Sequence, residues 1–439
     1  MSIDVERPVS PAASQPEPPA PVRDRADVRR QVRLVTIFAI VSALVAYFFV
    51  AVDDYAMRYS LAERITAEDQ PQDFDARVLM VVCLVLVVAA LVVAALNLVP
   101  RNGWAIVLFV VVGLAFLAAF VVWNFTDQSG STQRVFFNPM PEAVRRATPI
   151  ILGALAGVLC ERAGVINIAI EGQFIAAAFF ASVASSLAYS AEMGLVGGIL
   201  AGVFIASLLG VFAMRYHVNQ VVLGVVLVAF AGGLTSFLLS QIPADPEIRE
   251  YLNAPLILER IAIPGLSDIP VLGLTLFNQN LLVYLMYVSV AVVAFLLYQT
   301  RWGLRVRSVG EHPKAADTVG IKVNRIRWQA VLLGGVFAGL GGAFFTVGSN
   351  GTFDNGVSAN YGFIALAAVI MGRWHPIGAS AAALFFGFML TLEVQLSQLE
   401  RIPSEFISAL PYLATVIAVA GFVGRVRPPA ADGEPYVKS

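Results

Sequence analysis

Run after run of about 20 apolar residues, the length that crosses a bilayer's hydrocarbon core, fills most of this 439-residue chain. Hydrophobic residues make up 58% and charged residues only 13%, where a soluble domain carries about 25% charge. A span in lipid must satisfy its backbone groups internally. The sequence therefore predicts an all-α integral membrane protein, a polytopic bundle of about twelve transmembrane or partial helices. They are expected near 34–52, 78–99, 104–123, 142–160, 165–189, 193–215, 219–240, 280–299, 329–348, 361–372, 377–398 and 405–424. The fourth and tenth are short or carry charge and are read as partial crossings.

Short basic loops favour the cytoplasmic side. Arg23, Arg25, Arg29, Arg30 and Arg33 precede the first run, which places the N-terminus in the cytoplasm. The next connection holds Asp53, Asp54, Glu63, Glu68, Asp69, Asp73 and Asp75 and suits the outside. Alternating from there, Arg101, Arg162, Arg215 and Arg373 fall at cytoplasmic turns, and the C-terminus is cytoplasmic too. Arg145 and Arg146 break the pattern, entering the fourth helix from the outer side.

The remaining composition excludes several functions. A formal charge of −1 gives no reason to bind nucleic acid. Cys83 and Cys160 both lie inside apolar runs, and with three histidines they build neither a disulfide framework nor a metal site. The acidic stretch 53–75 is the one candidate for a surface enzyme site, and it has no histidine beside it, so no catalytic residue is assigned. Residues 1–33 are polar and proline-rich and are read as a disordered cytoplasmic tail. Residues 34–130 form an extension of three helices poor in polar residues, expected at the periphery. Residues 426–439 form a second cytoplasmic tail.

Glycines four apart recur at Gly153 and Gly157, Gly198 and Gly202, and Gly335 and Gly339. In lipid such spacing lets helix backbones approach closely.

The loop 301–327 carries seven Lys or Arg and two acidic residues. Within it, Pro313 is suited to open a short helix and Gly320 to close it in a left-handed conformation. Lys314 and Asp317 would occupy its polar side, leaving Ala315, Ala316 and Val319 for a partner's groove. An ordinary basic loop obeying the charge bias is the plainer alternative.

Four stretches resemble one family. Arg305–Ile321 (RVRSVGEHPKAADTVGI) is similar to the coupling loop of ABC importer permeases in the branched-chain amino acid, ribose and nucleoside group. Glu161–Gln173 (ERAGVINIAIEGQ), Asn219–Val222 (NQVV) and Tyr361–Gly378 (YGFIALAAVIMGRWHPIG) fit in the expected order. The combination is most similar to nucleoside and simple-sugar permeases and covers about residues 136–425. Relatives often carry Met where this chain has Gln173, and Asn where it has Val228.

The resemblance implies a multi-pass permease subunit in a bacterial cell membrane, translocating nucleosides or related pentose compounds. It implies an extracytoplasmic substrate-binding lipoprotein, a second homologous permease subunit in a heterodimer, and a cytoplasmic ABC ATPase. The chain has no Gly-x-x-x-x-Gly-Lys-Ser/Thr loop, so no cofactor is expected on it, and ATP with magnesium is expected on the partner. ATPase coupling is assigned to Glu311, Pro313, Lys314, Asp317 and Gly320.

Glu171 is the most informative side chain, because an ionisable group in an apolar stretch faces the bundle interior and is a functional candidate. Asn167, one helical turn earlier on the same face, and Gln173, which follows closely, could join it in binding ribose hydroxyls or base edges. Gly164 and Gly172 bracket this stretch as in a half helix lining a cavity. The alternative is structural: Glu171 pairs with Arg162 or accepts backbone N–H groups. Asn219, an N-cap as readily as a contact, and Tyr361 and Phe363, able to stack on a base or to form an interfacial belt, complete the path candidates with Glu393. Simple-sugar transport, branched-chain amino acid transport and an ion-coupled carrier without an ATPase remain competing readings. The last lacks the paired carboxylates such carriers use.

Overall fold

The structure, a computed structural model, describes residues 25–61, 71–99, 103–126, 135–242, 251–397, 403–409 and 427–437. Most of the expected N-terminal tail, residues 62–70 of the acidic stretch and most of the expected helix 405–424 lie outside them; the last part of that tail, from Arg25 to Arg33, is helical rather than disordered, continuous with the first apolar run. The chain divides into two compact units. Among the described residues, ten helices are long and apolar enough to cross a membrane, so this is a polytopic helical membrane protein.

The first unit holds α1 (Arg25–Val50), α2 (Arg77–Ala95) and α3 (Gly103–Phe125). Phe48 stacks on Trp123 at 4.9 Å between centroids. The Ser42 hydroxyl donates to the Val87 carbonyl at 3.2 Å, a polar tie between two helices. On α2, Met80 and Val87 are fully buried while Val78 and Val85 are 71% and 60% exposed. One stripe packs, and the rest is an apolar surface suited to lipid.

The second unit carries α4 (Met140–Arg162), α5 (Ile170–Ala188), α6 (Ala191–Gly210) and α7 (Gln220–Ser240). After them come α8 (Leu281–Gln299), α9 (Arg301–Glu311), α10 (Pro313–Thr318) and α11 (Val323–Ala343). The last three are α12 (Tyr361–Met371), α13 (Pro376–Leu396) and α14 (Ser404–Ser408). α6 and α11 each end in a π-helical segment, Val211–Arg215 and Phe344–Asn350. Two elements of the connection before α8 pair as a short antiparallel ladder, Arg260–Ala262 with Asn278–Asn280.

Burial ranks these helices. Of the apolar window in α4, 89% is buried, and 83% in the span containing α11, against 28% in α7. α4 and α11 are therefore the central pair. The fourth helix, expected as a partial crossing, is instead a full span of 23 residues; in its first turns Glu142 bridges both Arg145 and Arg146.

The glycine spacing read from sequence packs α6 on α11. A Cβ on Gly202 would lie 2.5 Å from the Gly335 carbonyl oxygen and 2.6 Å from the Gly339 Cα, so only hydrogen allows these backbones to meet. On α4, the Gly153 and Gly157 positions face Ala365 and Val369 of α12.

α12 is short for a local reason. Ala359 and Asn360 before it, and Arg373 and Trp374 after it, all have positive φ, a region L-residues enter only under constraint. Eleven residues rise about 16 Å, roughly half the ~30 Å core. The constraint at the lower end is visible: Arg162 donates to the Trp374 carbonyl at 2.9 Å and to the Arg373 carbonyl at 3.2 Å.

Candidate functional site

Three clusters hold the candidate residues. The first starts where α4 ends. Gly164 (φ +82°) sends its N–H to the Glu161 carbonyl at 2.9 Å, and Val165 sends its N–H to Cys160 at 3.0 Å, a Schellman turn. The chain then stays non-helical until Ile170, with Ile166 N–H held by the buried Gln220 side chain at 2.8 Å. The expected alignment of Asn167 with Glu171 along one helix face therefore does not occur. Asn167 bonds instead to Gln173 Oε1 at 3.3 Å and to Cys160 Sγ at 3.7 Å. Both amides are fully buried, and Asn167 Oδ1 and Gln173 Nε2 have no partner among the described residues.

Glu171 opens α5 and is 3% exposed. One carboxylate oxygen accepts the Ser358 hydroxyl at 2.6 Å; the other accepts the Gly362 N–H at 2.7 Å. The Asn360 backbone N–H contributes a further bond. Arg162 is engaged elsewhere, so the carboxylate caps the start of α12, where free N–H groups and the helix dipole favour a negative charge. A Cβ on Gly362 would lie 2.5 Å from Glu171 N and Cα, which is how the two first turns come so close. Gly172 faces the α7 backbone in the same way, 2.9 Å from the Leu227 oxygen.

The second cluster surrounds the start of α4. A cavity of about 250 Å³ is lined by Glu142, Arg145, Arg146, Phe344, Phe345, Ser349, Asn350, Val357, Ala359 and Tyr361. Glu142 bridges Arg145 at 2.7 Å and Arg146 at 2.8 Å. Tyr361 bonds to Arg146 and meets Phe345 edge-on at 5.4 Å. Glu393 accepts the Ser408 hydroxyl and lies within electrostatic reach of Arg146. The site thus joins aromatic edges, two guanidinium groups, a carboxylate and the Ser349 and Asn350 side chains, a mixture of apolar faces and hydrogen-bonding groups. Glu142, Arg145 and Arg146 were absent from the sequence candidates, although the last two had already broken the charge pattern. Phe363, 42% exposed, is not among the cavity's lining residues. Asn219 is exposed and spends its side chain on the Val221 and Val222 N–H groups, as an N-cap.

The third cluster is the basic loop. It contains two helices rather than one, since Arg301–Glu311 is helical, N-capped by the Thr300 hydroxyl on Gly303 N–H at 3.1 Å. α10 begins at Pro313 and closes with Gly320 (φ +85°), whose N–H meets Asp317 at 2.9 Å while Ile321 N–H meets Ala316 at 3.0 Å. Lys314, Ala315 and Val319 are exposed, Val319 by 75%. Ala316, expected to face a partner, is buried against the chain's own core. Beneath the loop, Arg307 lies over the Tyr298 ring at 4.9 Å, and Tyr298 stacks on His375 at 4.7 Å. Burial, and then the neighbouring Arg162 charge, push the His375 ring below its ordinary pKa.

A sequence profile described as branched-chain amino acid transport system / permease component matches residues 140–419. The chain belongs to this permease family. It is 39% identical over 310 residues to the guanosine ABC transporter permease protein NupQ of Bacillus subtilis, covering 68% of this chain and 96% of that one. To the nucleoside ABC transporter permease protein NupC of Lactococcus lactis it is 39% identical over 310 residues, covering 67% and 94%. To the putative glucose ABC transporter permease protein TsgC13 of Haloferax volcanii it is 31% identical, covering 57% and 75%. No solved structure matches. The family members are multi-pass membrane permease subunits of ABC importers, not enzymes in themselves, and this chain, with ten apolar spans among its described residues, is one of them.

Proposed function

We propose that this ABC importer permease carries nucleosides. The observation that carries the reading is 39% identity extending over 96% of a guanosine permease, where the glucose permease reaches 31% over 75%. The cavity at the start of α4 is in keeping with it. Tyr361 and Phe345 offer aromatic edges to a base, and Glu142, Asn350 and Ser349 offer hydrogen-bonding groups to a ribose.

In this reading both chain termini and the α9–α10 loop face the cytoplasm. A cytoplasmic ABC ATPase binding ATP and magnesium grips the exposed Lys314, Ala315 and Val319 face of α10. A second, homologous permease completes the path as a heterodimer, and an extracytoplasmic binding lipoprotein delivers cargo to the α4 cavity. Closure of the ATPase moves α10 as a rigid body, and Glu171 holds the half-depth helix α12 to α5 during that movement.

Uptake of labelled uridine by cells with and without this chain tests the proposal, with unlabelled adenosine, ribose and leucine as competitors. Nucleosides are expected to compete and ribose and leucine are not. Uptake that survives deletion of the chain removes the nucleoside reading; competition by ribose alone turns it into a sugar permease.

A further inference from the structure

The stretch 427–437 has the composition of a linker, with Pro428, Pro429, Gly433 and Pro435, yet it is seated in the protein. Pro429, Ala431 and Tyr436 are buried, and Tyr436 belongs to the main core cluster. A turn forms at its centre, with Asp432 N–H on Pro429 at 3.1 Å and Glu434 N–H on Ala431 at 3.3 Å.

Its contacts fall on the junction of α9 with α10, on α10 itself and on α11. At the start, Ala431 N–H donates to the Gly310 carbonyl at 2.9 Å and Ala430 N–H to the Glu311 carboxylate at 3.3 Å. In the middle, Tyr436 bonds to the Asp317 side chain of α10. At the far end, Arg327 Nη1 of α11 donates to the Glu434 carbonyl at 2.9 Å. Arg327 is 1% exposed, an unusual fate for a guanidinium, and Asp432 and Glu434 of the segment lie within electrostatic reach of it. The same segment also reaches the foot of α4. A Cβ on Gly164 would lie 2.9 Å from the Ala431 oxygen, and one on Gly433 (φ +76°) would lie 2.6 Å from the Ile166 Cδ1.

We infer that residues 427–437 form a staple that fastens the α9–α10 loop to α4 and α11, so that force applied to α10 reaches the transmembrane core. The inference rests on the reading of α10 as the ATPase contact. Without the staple, α10 is held only by its connections to Glu311 and Val323 and by the packing of Ala316. With it, the loop is fixed at its beginning, its helix and its end, and a push on α10 displaces α4 and α11 together. The contacts occupy the inner side and leave Lys314, Ala315 and Val319 open.

The test uses the complete transporter in liposomes, comparing the unaltered chain, deletion of 427–437, and the full-length Gly433→Val, which cannot seat its turn. Solute moved per ATP hydrolysed is expected to drop roughly fivefold or more in both variants, the scale of a coupling free energy, while ATP hydrolysis per assembled complex persists. A merely structural role would lower the yield of complex and leave that ratio unchanged. An unchanged ratio, with the unaltered transporter active, removes the staple but not the nucleoside reading; an inactive unaltered transporter removes that reading instead. Should both variants fail to assemble, amide exchange decides on the unaltered complex. Protected Ala430 and Ala431 amides that change their protection between ATP-bound and ATP-free states support the staple. Amides that exchange at free-peptide rates, or protection that ignores ATP, overturn it.

Discussion

Glu171 and Gly362 meet at 2.7 Å, carboxylate to amide, although 191 residues separate them. One side chain thereby joins the first turns of α5 and α12, and the Ser358 hydroxyl completes the joint. Replacing Glu171 by Ala leaves a buried hydroxyl and two N–H groups without acceptors, each worth about 1–3 kcal/mol. Glu171→Ala is expected to lower the melting temperature of the purified subunit and to abolish uptake, with Glu171→Gln intermediate. A variant as stable as the unaltered protein would show that the joint is not structural.

Gly362→Ala is expected to cost about 1–3 kcal/mol through overpacking, because the new methyl meets the Glu171 backbone rather than a yielding side chain. The next residue, Phe363, has an exposed ring, which makes Phe363→Ala a near-neutral control. Thermal denaturation of the two variants side by side gives the comparison.

At the α4 cavity, Glu142→Gln removes the charge shared by Arg145 and Arg146. The half-saturation concentration for nucleoside is expected to rise about tenfold, equivalent to about 1.4 kcal/mol of lost binding, with protein abundance unchanged. Uptake titrations at matched expression measure it, and an unaltered half-saturation point would remove the cavity from the path.

Protonation governs the 427–437 segment. Burial raises the Asp432 carboxyl from its ordinary range to about 7, outweighing the Arg327 charge that lowers it. The seated form therefore prefers the neutral acid. This contribution is complete below the ordinary value of 3.8 and is lost as pH rises through about 7, since the released segment then binds fewer protons. Cys160 and Glu161 of α4 also face this carboxyl. Exchange protection at Ala431, corrected for intrinsic rate, is expected to fall between about pH 6 and about pH 8. Asp432→Asn should keep its protection at the upper end. Protection that grows with pH in the unaltered chain would reverse the assignment.

Much of this architecture was legible in the residues, for identifiable reasons. Apolar length located the spans, and Pro313 with Gly320 delimited α10 because both act through local backbone geometry. Gly202, Gly335 and Gly339 marked a contact because in lipid small residues are what permit one. What escaped was non-local. Nothing near Glu171 in sequence indicates Ser358 or Gly362, and the positive-φ pair Ala359 and Asn360 from which α12 starts is not a glycine pair. α9 was missed because its amphipathic residues were read as loop charge. Residues 427–437 have no periodicity at all; their order comes from Arg327, which lies 107 residues upstream of the Glu434 it holds. Arg145 and Arg146 teach the converse, since a pair of cations that broke the expected charge alternation marked the cavity they line.

A helix start that holds bare amides is a natural seat for phosphate. In α12 that seat already belongs to Glu171, whose anionic oxygens occupy it. The Asn360 and Gly362 amides and the Ser358 hydroxyl are thus already taken from within the chain. Glu171, 3% exposed, thereby closes this helix start to an anion from outside.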